Sequence, residues 1–206
     1  MERYIAVAKE NWKHNMPISL LVCTLLLLGS PLVVGIENLT EPEVAKVTEY
    51  YLVFLGIILF PPVFLAEQNR DIRELVTSKY TPVAAVYSVR IVQAILSLMI
   101  FTGIYLGVMR AGNCDFPFGK IYAGTLAGML FLGGMGVLIY GLTDQIVIGY
   151  MVPFLYYMLN VSAGYQKMGV FYLFSMCVGK YEVKGWLGAA GVMMMAAGIY
   201  LRTKRK

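Results

Sequence analysis

The feature that most constrains this chain is a series of long apolar runs that recur from Pro17 to its end. Crossing about 30 Å of hydrocarbon takes roughly 20 apolar residues in a helix, because the backbone polar groups must be satisfied inside the segment. Six segments meet or approach that length: Pro17–Ile36, Tyr50–Ala66, Ile91–Met109, Ile121–Leu142, Ile146–Asn160 (extendable to Ala163) and Gly185–Leu201. None carries Asp, Glu, Lys, Arg or His in its body. The composition agrees: 59% of residues are hydrophobic and 14% charged, and mean hydropathy is +0.68. A soluble domain carries about 25% charged residues, so a cytosolic enzyme is excluded. The expected fold is an all-α membrane protein forming one transmembrane domain over residues 1–206. The first span starts too late and runs too long to read as a cleaved signal peptide.

Lysine and arginine set the expected orientation. With the N-terminus inside, 11 of the 17 basic residues fall on inner segments and 6 on outer ones, favouring both termini in the cytoplasm. The first outer loop, with Glu37, Glu41, Glu43 and Glu49 against Lys46, is acidic, which agrees. The net charge of +5 and the basic end Arg202–Lys206 read as inner retention signals rather than a nucleic-acid surface.

Residues 1–15 place Tyr4, Ile5, Ala8 and Trp12 at helical spacing among charges, which suits an amphipathic helix in the membrane interface, against a frayed terminus. The loop after the second span reads Glu67-Gln68-Asn69-Arg70-Asp71-Ile72-Arg73-Glu74-Leu75-Val76-Thr77-Ser78-Lys79. Its Ile72, Leu75, Val76 and Lys79 make one stripe on a short charged helix. Thr81 and Pro82 then cap the next helix. Pro61 and Pro62 read either as a kink or as the end of the second span. Residues 164–184 hold an apolar run, Val170–Val178, that is too short to cross, and fit a re-entrant or interfacial outer element.

Catalytic and metal chemistry find no residue set. Three cysteines, Cys23, Cys114 and Cys177, are too few and too scattered for a disulfide scaffold or a zinc site, and the one histidine, His14, excludes chemistry that needs two imidazoles. No phosphate-binding loop, zinc-protease or serine-hydrolase motif is present. Cys114 and Cys177 fall on the same side and read as two free thiols rather than a pair. Spans without ionisable groups disfavour an ion-coupled transporter, which binds and releases its ion within the membrane. Asp144 reads as a solvated helix-end charge. Gly103-x-x-x-Gly107 and Gly124-x-x-x-Gly128 read as close packing within one subunit before a dimer seam. Aromatic residues near the outer end of span five read as an interface belt or, alternatively, as the lining of an amphipathic substrate path. Phe54, Phe154, Tyr156, Tyr157 and Asn160 are the path candidates.

This layout resembles the permease subunit of ABC transporters of the ABC-2 type. The resemblance rests on the amphipathic segment before span one, on six spans with both ends inside, and on the loop from Phe64-Leu65-Ala66-Glu67 through Ile72–Pro82 to Tyr87-Ser88-Val89-Arg90. It implies a short cytoplasmic coupling helix that docks on a separate ATPase subunit, with Glu67, Arg70, Asp71, Ile72, Glu74, Leu75 and Val76 as the coupling residues. It also implies a second permease copy or paralogue and a substrate path beside spans two and five. The cofactors, ATP and Mg, would belong to the partner ATPase and none to this chain, and the setting would be a prokaryotic plasma membrane. The expected function is export of an amphipathic, lipid-like or peptide substrate. The alternative is an immunity-type membrane protein that sequesters a toxin or partner without transport.

Overall fold

A computed structural model describes residues 2–68 and 82–204. Among these residues every regular element is a helix. They are α1 (Glu2–His14), α2 (Met16–Val34), α3 (Glu41–Val47), α4 (Phe54–Leu59), α5 (Val83–Ala111), α6 (Phe118–Thr143), α7 (Ile146–Met168) and α8 (Glu182–Lys204). A π-helical turn, Thr48–Leu52, joins α3 to α4, and a 3-10 helix, Pro61–Gln68, follows α4. Six helical runs are long and apolar enough to span a bilayer: Met16–Val33, Glu41–Ala66, Val83–Ala111, Phe118–Thr143, Ile146–Phe171 and Glu182–Lys204.

The spans therefore number as expected, but their ends do not coincide with the apolar runs. The second begins at Glu41 rather than Tyr50, capped by Thr40: the Thr40 backbone N–H and hydroxyl both donate to the Glu43 carboxylate, at 2.8 and 2.7 Å. The acidic stretch 41–49 is thus helix, and Glu49 is fully buried in it. Arg90, Lys184 and Arg202 likewise stand inside helices and are buried. The expectation of spans free of charge is corrected. Hydropathy counts a paired charge like an unpaired one and so trims the helix at each such residue.

Pro61 and Pro62 mark a change of helix type. Proline supplies no N–H, so the α pattern ends at Leu59 and a 3-10 helix continues. Arg90 reaches across from α5 and donates to the Val63 carbonyl at 2.8 Å.

The bundle is organised around α6. Glycines on α4, α6 and α8 let these helices approach at backbone distance: a Cβ on Gly141 would lie 2.6 Å from the Gly198 carbonyl oxygen, and one on Gly198 would lie 2.8 Å from that of Val137. Gly134 meets Gly191 and Gly56 meets Met129 in the same way. Gly124 and Gly128 also face the interior, towards Met176, Lys184 and Val53, whereas a Cβ on Gly107 would meet nothing within 4 Å. The close seam therefore runs along 134/141 and 191/198.

The two ends of the bundle are held differently. At the end bearing both termini, α1 is tied to α5: Asn11 Nδ2 donates to Gln93 Oε1 at 2.8 Å, and Gln93 Nε2 donates to the Ala8 carbonyl at 2.9 Å. Tyr4, Ile5 and Trp12 remain exposed on α1. At the same end Asp144, in the left-handed region at φ 59°, ends α6 and pairs with Arg202. Asp144 is thus a paired helix-end charge rather than a solvated one, and Arg202 is buried against the Phe64 and Tyr140 rings instead of joining a solvated tail. At the opposite end the Asn38 N–H donates to the Gly112 carbonyl at 2.9 Å and the Cys114 thiol donates to the Ile36 carbonyl at 3.3 Å. Cys23, Cys114 and Cys177 are all free thiols.

Candidate functional site

A dense polar construction lies at the end away from the termini, where residues 169–181 turn back after α7. At Gly164 (φ 71°, ψ 169°) the chain leaves the regular course of α7; that backbone conformation needs a residue without a Cβ. Two short 3-10 turns follow, Gly169–Phe171 and Met176–Val178, with Leu173, Phe174 and Ser175 fully buried between them.

Three side chains from three different spans hold this segment. Glu49 projects from the π turn of span two. A π turn is wider by one residue than an α turn and occurs mostly as an isolated bulge, often at functional positions. One oxygen of its carboxylate accepts the Met176 N–H at 3.0 Å and the other the Cys177 N–H at 2.8 Å. These are the first N–H groups of a helical turn, which have no partner within the turn. Lys184, from the first turn of α8, places its ammonium 2.7 Å from Glu49 and also donates to the Leu173 carbonyl. Asn160 of α7, fully buried, accepts the Leu173 N–H at 2.8 Å and donates to the Tyr156 carbonyl at 2.9 Å. Every polar group in this set faces one of opposite character, which is what allows a charge pair to sit in a low-dielectric interior.

An aromatic cluster covers it. Tyr50 stacks on Phe174 with ring centroids 4.2 Å apart, and Tyr157 meets Phe174 edge-on at 5.3 Å. Phe54 packs against Tyr157 at 4.4 Å and against Phe154 at 6.3 Å. The Tyr157 hydroxyl donates to the Tyr50 carbonyl at 2.9 Å, and that of Tyr156 donates to the Phe171 carbonyl. Of the five residues read from sequence as a path, Phe54, Phe154 and Tyr157 meet between spans two and five, whereas Tyr156 packs on Phe131 of α6 and Asn160 holds Leu173. They differ in access: Phe154 is exposed, Phe54 and Tyr156 half-buried, Tyr157 and Asn160 buried.

Outside the spans, ionisation follows the same geometry. Burial and the facing Glu49 carboxylate push the Cys177 thiol well above its ordinary range. Burial first, then the neighbouring Tyr50, raise the Tyr172 phenol to about 12. The Tyr181 hydroxyl donates to Glu41 Oε1 at 2.6 Å, and burial together with that bond pushes its pKa up.

Of the coupling residues, Arg70, Asp71, Ile72, Glu74, Leu75 and Val76 lie outside the described residues, as does the side chain of Glu67. Glu49 and Lys184 are the site residues that sequence reasoning missed. The available signal was their position: one acid and one base, each within a helical turn of an apolar run.

These observations define the class, a multi-pass membrane protein built from six apolar helices. Comparison with protein-family models, with curated proteins and with solved structures returns no match.

Proposed function

We propose that this chain is the permease subunit of an ATP-driven exporter of the ABC-2 type, working with a separate ATPase and a second permease, and moving an amphipathic, lipid-like or peptide substrate. The observation that carries this reading is the folded-back segment 169–181, clamped to span two by Glu49 beside the aromatic contact between spans two and five. Those are the two spans that the resemblance assigns to the path. A displacement of span two passes directly to the segment capping its end, because a carboxylate bonded to two backbone N–H groups moves with them.

On this reading the termini face the cytoplasm, α1 lies in the inner interface with Tyr4, Ile5 and Trp12 towards lipid, and segment 169–181 faces outward. This chain performs no catalysis: the ATPase hydrolyses ATP with Mg, and the loop 67–82 receives its motion.

The test is co-expression with a candidate ATPase from the same source, followed by detergent pull-down and an ATPase assay, with wild type beside Leu75→Glu and Ile72→Glu. A complex that wild type forms and both variants lose supports the reading. Retained ATPase binding and unchanged transport in both variants overturn it. Protection against a toxin that survives abolished ATP hydrolysis in the partner favours the binding-protein alternative instead.

A further inference from the structure

A groove of about 580 Å³ runs between α6 and α8, with the paired Lys184 in its wall. Its floor is made of residues too small to fill it, among them Ala123, Ala127, Gly188 and Ala189, and Leu130 and Val192 wall its length. At its mouth stand Lys120 and Tyr181, with the Lys120 ammonium 5.9 Å from the Tyr181 ring centroid. Lys120 is exposed and lies in the first turn of α6, where the positive end of the helix dipole adds to its own charge.

We propose that this groove is a binding site for an anionic phospholipid of the surrounding bilayer, its phosphate at Lys120 and one acyl chain along the Ala123–Ala189 floor. Three observations point to that occupant. The groove lies along two spans, so its contents are drawn from the bilayer core. It is apolar for most of its length and carries the Lys120 ammonium at one end, where the neighbouring Glu41 carboxylate is bonded to the Tyr181 hydroxyl, and this polarity suits a phospholipid. The cation stands at the end of the span, at headgroup depth, where each lysine near an anionic surface is worth about 1 kcal/mol, roughly a fivefold preference. A second copy of this chain fits the groove less well, since its apolar helix would cover the Lys120 ammonium without neutralising it.

The experiment is native mass spectrometry of the full chain in detergent, titrated in parallel with phosphatidylglycerol and phosphatidylcholine. Wild type should bind one phosphatidylglycerol with about fivefold preference over phosphatidylcholine. Lys120→Gln should lose that preference while Lys120→Arg keeps it. The double variant Ala123→Leu/Ala189→Leu should lose the bound lipid altogether. Both alanines are exposed, so the added side chains fill the groove without entering the core. Equal binding of the two lipids by wild type, or an unchanged preference in Lys120→Gln, overturns the proposal. So does a wild-type dimer that the double leucine variant converts to monomer, since a second copy would then occupy the groove.

Discussion

The Glu49 carboxylate lies 2.7 Å from the Lys184 ammonium, with both side chains withdrawn from solvent, where spans two and six meet the folded-back segment. Removing one member of a buried pair strands the other, at a cost of about 3–5 kcal/mol, whereas replacing both with uncharged groups of similar size costs far less. Lys184→Met alone is therefore expected to lower the thermal midpoint in detergent sharply, and Glu49→Gln/Lys184→Met to recover part of the loss, since the Gln amide keeps one acceptor oxygen for the Met176 and Cys177 N–H groups. A double variant whose loss equals the sum of the singles would show that the two charges stand independently.

Cys177 offers a chemical readout of the same carboxylate. Its raised pKa keeps the thiol protonated at neutral pH, so alkylation by a maleimide at pH 7–8 should be slow. Glu49→Gln removes the negative charge that holds the proton and should accelerate the reaction. The linkage has a definite sign. A thiol whose folded pKa exceeds its unfolded value near 8.5 contributes stability below that pH and loses it progressively above. Tyr172, raised to about 12, extends the loss above pH 10. A stability profile that falls from pH 8.5 upward, and flattens in its lower part in Cys177→Ala, is the expected result.

The glycine seam predicts a contrast between two identical substitutions. In Gly141→Ala the new methyl would lie 2.6 Å from the Gly198 carbonyl oxygen, forcing α6 and α8 apart. Such overpacking typically costs about 1–3 kcal/mol. In Gly107→Ala it meets open space, and the smaller backbone entropy loss of alanine favours the helix by about 0.5–1 kcal/mol. Thermal unfolding should order the proteins Gly107→Ala, wild type, Gly141→Ala, from most to least stable.

At the opposite end, Asp144 combines two roles that substitution separates. Its φ of 59° disfavours a Cβ, and its carboxylate pairs with Arg202. Asp144→Gly loses the carboxylate but is relieved of the Cβ strain at this φ, while Asp144→Ala loses the carboxylate and keeps the left-handed backbone penalty of about 1–2 kcal/mol. The alanine variant should be the less stable by that margin in denaturant unfolding. Equal midpoints would mean that the backbone relaxes there.

Asn160 is the last measurable anchor. Asn160→Leu keeps the branched shape, with bulkier methyls, but leaves the buried Leu173 N–H without its acceptor, at about 1–3 kcal/mol. Hydrogen exchange should show residues 169–178 losing protection before the spans do.

The sequence by itself determined that six apolar helical runs exist, because a run of about 20 apolar residues forms a helix when it lies in hydrocarbon. It also indicated that the apolar run Val170–Val178 is too short to form a span of its own, and that Tyr156, Tyr157 and Asn160 lie near one end of span five. Periodicity and hydropathy are local properties, and these features are local. The tertiary structure alone decided that Glu49 and Lys184 are a pair, that Arg202 belongs to Asp144, and that the seam runs through Gly134, Gly141, Gly191 and Gly198 rather than through Gly103 and Gly107. A lone charge at the end of an apolar run reads as a loop residue, since burying it unpaired is prohibitive. Only when the fold brings its counter-charge and two free N–H groups within 3.0 Å does the interior become its stable place.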